Sequence, residues 1–233
     1  PMFLECLALF EGVADPTAPR QVLSKLGNLE RAIGELESSL EHFEQAVALQ
    51  DRVGDVMNGL INRIDLAKTL LAMDRIEEAE SKFMEVIAST RKRETFLLEA
   101  MAIGCLGDLC RKTNRIDEAI VHYRFAYDTF RDKFPSVATA MAISLAVMLA
   151  RSGELDELDD LTLGKEQHVE ALPREQLVFL RDLAEVRLAQ QEPAASYRHI
   201  GRAREVAKQL ENGPDPQIAA DLDALERRII GKG

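Results

Sequence analysis

Apolar residues recur along this chain with two nested periods. The short one is helical: within each stretch they return every three or four residues, the spacing of one face of an α-helix. The long one is about 40 residues. Leu26-Gly27, Leu66-Ala67, Leu106-Gly107 and Leu145-Ala146 follow one another at 40, 40 and 39 residues, and Leu183-Ala184 makes a fifth copy 38 residues on. Thirteen residues after the first four Leu positions stand Ser39, Ala79, Ala119 and Leu158; four further come Phe43, Phe83, Tyr123 and Thr162; three beyond those come Ala46, Val86, Ala126 and Lys165. The fifth copy carries Ser196, Ile200 and Ala203. Small residues let two helices approach, and a large aromatic side chain fills the space they leave. Concordant residue type and spacing over five copies is the signature of a stacked repeat.

The pattern predicts first helices over 19–33, 57–73, 95–112, 136–151 and 174–190. Second helices are expected over 35–52, 75–91, 115–131, 154–168 and 193–210. Gly34, Asp74, Asn114 and Gly153 sit at the hairpin turns, where left-handed backbone is needed. Pro19, Pro173 and Pro193 fall in first turns, which tolerate the missing N–H. Gly213-Pro214-Asp215-Pro216 breaks the chain before a last helix over 216–230. The expected architecture is all-α: a right-handed α-solenoid of about five helix-turn-helix repeats, 18–53, 56–92, 95–132, 136–169 and 173–211, in one domain over 1–233. Residues 2–11 and 216–230 are half-repeat helices at the two ends, either dedicated caps or the edges of a longer array. The fourth repeat departs most from the pattern, with Leu158, Thr162 and Gly164-Lys165 at its key positions.

Composition changes this picture little. Hydrophobic residues make up 46% and aromatics 5%, without Trp, which suits helices of unbranched side chains. Lys and Arg number 29 against 40 Asp and Glu, a net charge of −11. So acidic a chain lacks the positive footprint that phosphate contacts need, and no nucleic-acid partner is expected. No apolar run reaches the roughly 20 residues that span a bilayer, and no basic segment precedes the apolar start, so neither membrane insertion nor a signal peptide is expected. Three cysteines, Cys6, Cys105 and Cys110, make no disulfide framework; a reduced, cytoplasmic setting is the expectation.

Catalytic and cofactor motifs do not surface. There is no G-x-x-x-x-G-K-[ST], G-x-G-x-x-G, G-x-S-x-G or H-E-x-x-H, and no cofactor or enzymatic activity is expected. His42, His122 and His199 share one repeat position and His168 stands apart. Equivalent positions in adjacent repeats lie about 10 Å apart, too far for a shared ion, so semi-exposed outer-face residues and no metal are expected. Cys105 and Cys110 diverge around their helix and read as core or near-core thiols. Arg91-Lys92-Arg93 closes a helix and the acidic run from Glu154 to Asp160 opens one, both as helix dipoles favour.

The residues of the repeat resemble tetratricopeptide repeats, and specifically the variety of about 40 residues found in kinesin light chain, Pins-type spindle proteins and sensor regions of bacterial regulators. Residues 48–80, with Gly54-Asp55 and Ile76-Glu77-Glu78-Ala79, carry the likeness most fully. The resemblance implies a binding scaffold whose first helices line a concave face. Its groove phase falls on Ser24, Asn28 and Arg31; on Ile61, Ile64, Lys68 and Leu71; on Met101, Asp108 and Arg111; on Ile143 and Val147; and on Val178, Arg181 and Glu185. It implies a protein or peptide partner or, as the alternative, a sensor of a small molecule or short signalling peptide, either as a module of a larger regulator. Two family devices are not expected. Of the clamp that grips a terminal carboxylate only Asn28 is present, and the backbone-gripping Asn ladder is replaced by Lys25, Asp65, Cys105, Ser144 and Asp182.

Met2, Phe3, Leu4, Leu7 and Phe10 fall on one helix in second-helix phase. Each large apolar side chain buried contributes about 1.5–3 kcal/mol, so this face folds back on the 22–36 segment as a cap or pairs two chains as a homodimer. Sedimentation of the wild type beside Phe3→Asp/Leu7→Asp separates them. The cap gives a monomer that loses thermal stability, the pair a dimer that falls to folded monomers, and unchanged behaviour excludes both.

Overall fold

The computed structural model describes residues 17–163, 173–210, 213 and 216–231. The expected N-terminal helix over 2–11, His168 and Lys165 lie outside them. The described residues form eleven helices and no strand: α1 Thr17–Ile33, α2 Leu36–Val53, α3 Val56–Ala72, α4 Ile76–Lys92, α5 Phe96–Lys112, α6 Ile116–Phe130, α7 Pro135–Ser152, α8 Leu158–Thr162, α9 Pro173–Ala189, α10 Pro193–Ala207 and α11 Pro216–Ile230. Nine of the ten repeat helices and the last helix lie within three residues of the expected bounds, α1 starting two residues early. The fourth repeat differs. Over the described part of the expected helix 154–168, α8 covers Leu158–Thr162 and Leu163 has extended backbone at φ −65 and ψ 132; residues 164–168 lie outside the described residues. Thr162 stands where the other copies offer an aromatic or aliphatic anchor, and it is buried beside Leu158 and Leu161.

The hairpin turn repeats with one hydrogen-bond pattern. A residue with positive φ (Gly34 89°, Asp74 60°, Asn114 60°, Gly153 91°, Gln191 63°) ends each first helix. The next residue's N–H then reaches back five positions: Glu35 to Glu30 O, Arg75 to Leu70 O, Arg115 to Cys110 O, Glu154 to Leu149 O and Glu192 to Arg187 O, at 2.8 to 3.0 Å. This left-handed cap satisfies carbonyls that the helix end leaves without partners.

Two compact units make up the chain, residues 1–109 and 110–233. In the first, α1 packs on α2 and α3, α2 on α3, and α3 on α4. Their core gathers Phe43, Ile64, Ala67, Phe83 and Val86 with Leu98, Ile103, Leu106 and Leu109 from α5. The pairing of small and large is literal here: a Cβ on Gly27 would stand 2.8 Å from the Phe43 ring, which is wholly buried. Ser39 locks the same hairpin by donating to Gly27 O at 2.8 Å, and Ser196 donates to Ala184 O at 2.7 Å at the equivalent place in the fifth repeat.

In the second unit α6 packs on α7, α7 on α8 and α9, α9 on α10 and α11, and α10 on α11. One cluster centres on Tyr123, Leu145, Met148, Leu158 and Leu161, another on Ile143, Leu177, Leu180, Leu183, Ile200 and Leu222. Helix α7 is apolar nearly all round because it meets neighbours on several sides. Among the described residues it is the one helix long and apolar enough to cross a membrane, and half of it is buried inside the protein.

Gly27→Ala should therefore destabilise the first unit by about 1–3 kcal/mol through overpacking, although Ala in a helix otherwise gains about 1 kcal/mol over Gly. Gly201, on α10 with nothing within 4 Å of an added Cβ, supplies the contrast: Gly201→Ala should stabilise by about 0.5–1 kcal/mol. Chemical denaturation of both variants checks the pair, and a shift of the same sign in both would contradict the packing argument.

Candidate functional site

In the first unit the groove-phase residues of α1 and α3 meet. A cleft of about 250 Å³ lies between them, lined by Gln21, Ser24, Lys25 and Asn28 of α1, Gln50 of α2, and Asp55, Asn58, Ile61, Asn62 and Asp65. Its floor is a locked amide cluster. Buried Asn62 donates to Ser24 Oγ at 2.8 Å and to Gln50 Oε1 at 3.0 Å, tying three helices together. Its rim carries exposed carboxamides. Asn28 donates to Ser24 O at 3.0 Å, and Asn58 donates to the Asp55 carboxylate at 2.9 Å.

Charge enters at one edge. Arg31 donates to Asn28 Oδ1 at 2.6 Å and to Asp65 at 3.3 Å, and Lys68 meets the same Asp65 oxygen at 3.4 Å. Two cations thus share one carboxylate and keep part of their positive field for a ligand. Ile61 and Leu71 are half-buried beside them, while Met101 and Asp108 on α5 are exposed. Burial, and after it the nearby Asp108, pushes the Cys105 thiol up to about 12 against the opposing pull of Lys68 and Arg31. It stays a thiol at neutral pH and brings no nucleophile to this face.

Several other expected site residues are buried or held in ion pairs. Ile64 is a core residue at 2% exposure, and in the second unit Ile143 and Val147 are buried at 2% and 0%. Arg111 donates to both oxygens of Asp182, at 2.7 and 2.9 Å. Arg181 meets Asp182 at 2.6 Å and Asp221 at 3.1 Å. Glu185 accepts from Arg151 at 2.7 and 3.0 Å. Val178 is exposed on α9. The second unit also has a larger concavity of about 570 Å³, lined by Arg187, Arg198, His199 and Arg202 with Asp159 and Glu192. None of the expected groove residues lies in it, and Arg187 there is held by Asp159 at 2.7 Å.

Asn58, Asn62 and Gln50 were not among the groove residues expected from the sequence. Asn62 does leave a signal: it lies four residues before Leu66 and seven before Thr69, a polar residue on the buried face of α3. Of the histidines, His42 Nδ1 lies 2.6 Å from Glu30 Oε2, and His122 stands near Cys110 and Glu118.

A family model described as tetratricopeptide repeat matches residues 19–92. No curated protein matches the chain. Several solved structures share the fold. A Rap protein complexed with Competence and Sporulation Factor is 16% identical, with a TM-score of 0.68 over 98% of this chain and 68% of that one. A Podosopora anserina structure of nearly identical TPR-like repeats, named for kinesin light chain, is 18% identical with a TM-score of 0.61 over 85% and 100%. BtubC from P. vanneervenii is 17% identical with a TM-score of 0.59 over 71% and 70%.

The buried ion pair generates a pH prediction. Burial alone would push Asp182 up, but Arg111 and then Arg181 hold its carboxyl below the ordinary aspartate range. A depressed carboxylate contributes stability that is present above its unfolded value, and that stability is lost as pH falls through the lower folded one. Urea unfolding should thus weaken progressively below about pH 4, and more steeply in wild type than in Asp182→Asn. Arg111→Ala leaves Asp182 buried with Arg181 alone and should cost roughly 3 kcal/mol at neutral pH. Equal acid slopes in wild type and Asp182→Asn would remove this pair from the account.

Proposed function

Starting from residues 19–92 as tetratricopeptide repeats and from a fold shared with solved repeat proteins, we propose that this chain is a non-catalytic scaffold. It binds a peptide or an extended segment of a partner protein in the cleft of α1 and α3. The observation that carries the reading is the amide-lined cleft itself. Asn28 and Asn58 present both donors and acceptors, the complement of a peptide backbone that offers one N–H and one C=O per residue. The locked floor of Asn62, Gln50 and Ser24 holds the two helices in position, so little ordering is needed on binding. Arg31 and Lys68 favour a carboxylate on the ligand beside Asp65, and Ile61 adds an apolar contact.

Size argues in the same direction. A cleft of about 250 Å³ is below the roughly 300–1,000 Å³ that encloses a drug-sized molecule. It fits a few residues of a chain that continues over the surface. The alternative, a sensor of a short signalling peptide, is favoured by the Rap structure solved with Competence and Sporulation Factor, and the same cleft would serve it. The scaffold is proposed to work in a reducing, cytoplasmic setting, where Cys105 and Cys110 stay unoxidised, and as the interaction module of a larger regulator. Its acidic surface disfavours nucleic acid.

Selection of a random peptide library on the intact chain tests this. A consensus sequence should emerge that carries an acidic position. Its affinity should fall about ten- to a hundredfold in Asn28→Ala/Asn58→Ala, the loss of two hydrogen bonds at about 0.5–1.5 kcal/mol each. Both substitutions are at exposed positions, so thermal unfolding should be unchanged. No enrichment, or binding indifferent to this variant and to Lys68→Glu, would overturn the proposal.

A further inference from the structure

The third hairpin brings together three side chains of different chemistry. Cys110 lies in the last turn of α5, 1% exposed. Glu118 and His122 stand one turn apart on α6, the i, i+4 spacing that puts both on one face. Glu118 is exposed and His122 half-buried. The turn that aims them at each other is the left-handed Asn114, φ 60°, closed by Arg115 N–H to Cys110 O at 2.8 Å. One ligand atom from each residue, a sulfur, a ring nitrogen and a carboxylate oxygen, falls within 4.8 Å of the others.

The first hairpin shows independently that this backbone geometry makes the three positions converge. There the equivalents are Glu30, Ser38 and His42. Ser38 donates to Glu30 Oε1 at 2.8 Å, and His42 Nδ1 lies 2.6 Å from Glu30 Oε2. The second hairpin has Leu70, Glu78 and Lys82 at these places, the fourth Leu149, Glu157 and Leu161, and the fifth Arg187, Ala195 and His199. Of the five, the third alone combines a thiol, an imidazole and a carboxylate.

We infer that Cys110, Glu118 and His122 form a binding site for a Zn²⁺-class ion, with the fourth tetrahedral position open to water. A thiolate selects against Mg²⁺ and Ca²⁺, and the sulfur–nitrogen–oxygen set suits zinc. Tetrahedral ligands on bonds of 2.0–2.3 Å stand about 3.5 Å apart, so the cluster must close by about 1 Å. Glu118 is free to supply that movement, since its contact to Arg115 is a 3.5 Å pair near the surface, of a kind that contributes little. On binding, the Cys110 S–H bond breaks, its proton leaves to buffer, and a metal–sulfur bond forms.

Cobalt(II) titration of the full chain in a Cys6→Ser/Cys105→Ser background tests the site, leaving Cys110 as its one thiol. One Co²⁺ per chain should bind with a thiolate-to-metal charge-transfer band, and equimolar Zn²⁺ should displace it. His122→Gln and Glu118→Gln, at positions outside the core, should each weaken binding by at least about tenfold, and Cys110→Ser should abolish the band. Zinc should also raise the melting temperature of the background protein and not of His122→Gln. Absence of the band, or binding unchanged in His122→Gln, would overturn the inference whether or not Cys110→Ser folds.

Discussion

The contact on which the repeat depends is the approach of a second helix to a first helix at a residue without bulk. At Gly27 a single added carbon would sit 2.8 Å from the Phe43 ring. A distance that short leaves no room for slippage along the hairpin, because interiors are close-packed and a side chain cannot yield without disturbing others. The left-handed turn residue then has one position available, and the N–H five residues after the Glu30 carbonyl falls into register with it. Ser39, donating to Gly27 O, ties side-chain and backbone order at the same spot. The recurrence of that bond at Ser196 and Ala184 shows one local solution used again at the far end of the second unit.

That constraint explains what could be read from the sequence. Helix bounds, turn residues and the buried Phe43, Phe83 and Tyr123 follow from residues within one hairpin of each other, so their spacing is visible in the chain. The departure at α8 coincides with the loss of that signal: position 162 is Thr, where the other copies have an aromatic residue or Ile200. Long-range charge is another matter. Arg111 and Asp182 are 71 positions apart, and no periodicity links them. Taken from the sequence alone, Arg111, Arg181 and Glu185 are charges on a face. In the folded chain each has found a partner in the second unit, and Arg151 takes Glu185 just as Arg31 takes Asp65, 34 positions on in both cases.

The groove residues divide for a physical reason. In the first unit α3 packs on its own second helix and on the second helix of the preceding repeat, while α1 keeps much of its surface open. Ile64, Ile143 and Val147 are apolar and pack inward; Ser24, Asn28, Arg31 and Lys68 are polar and remain at the cleft or its edge. Polarity thus separates these residues into cleft and core, though Ile61 lines the cleft as well. Asn62 shows the limit of that separation, since it is polar, buried, and spent on holding the floor in place.

A hairpin held by its small-to-large contact leaves other positions free to change. The three places occupied by Glu30, Ser38 and His42 converge whatever stands there, because the turn and the helix phase aim them. In the first copy they form a hydrogen-bonded polar cluster, in the second an aliphatic residue beside Glu78 and Lys82, and in the third a thiol, a carboxylate and an imidazole. Gly27 tolerates little, while the second of these places, held by Ser38, Glu78 and Glu118, stays at or near the surface; the first is a core position in the copies that put Leu70, Cys110 or Leu149 there. New chemistry can thus appear where the turn already brings three side chains together, within what the core allows: a small thiol takes the buried place of Leu70 and Leu149, and the carboxylate and imidazole take the outer ones.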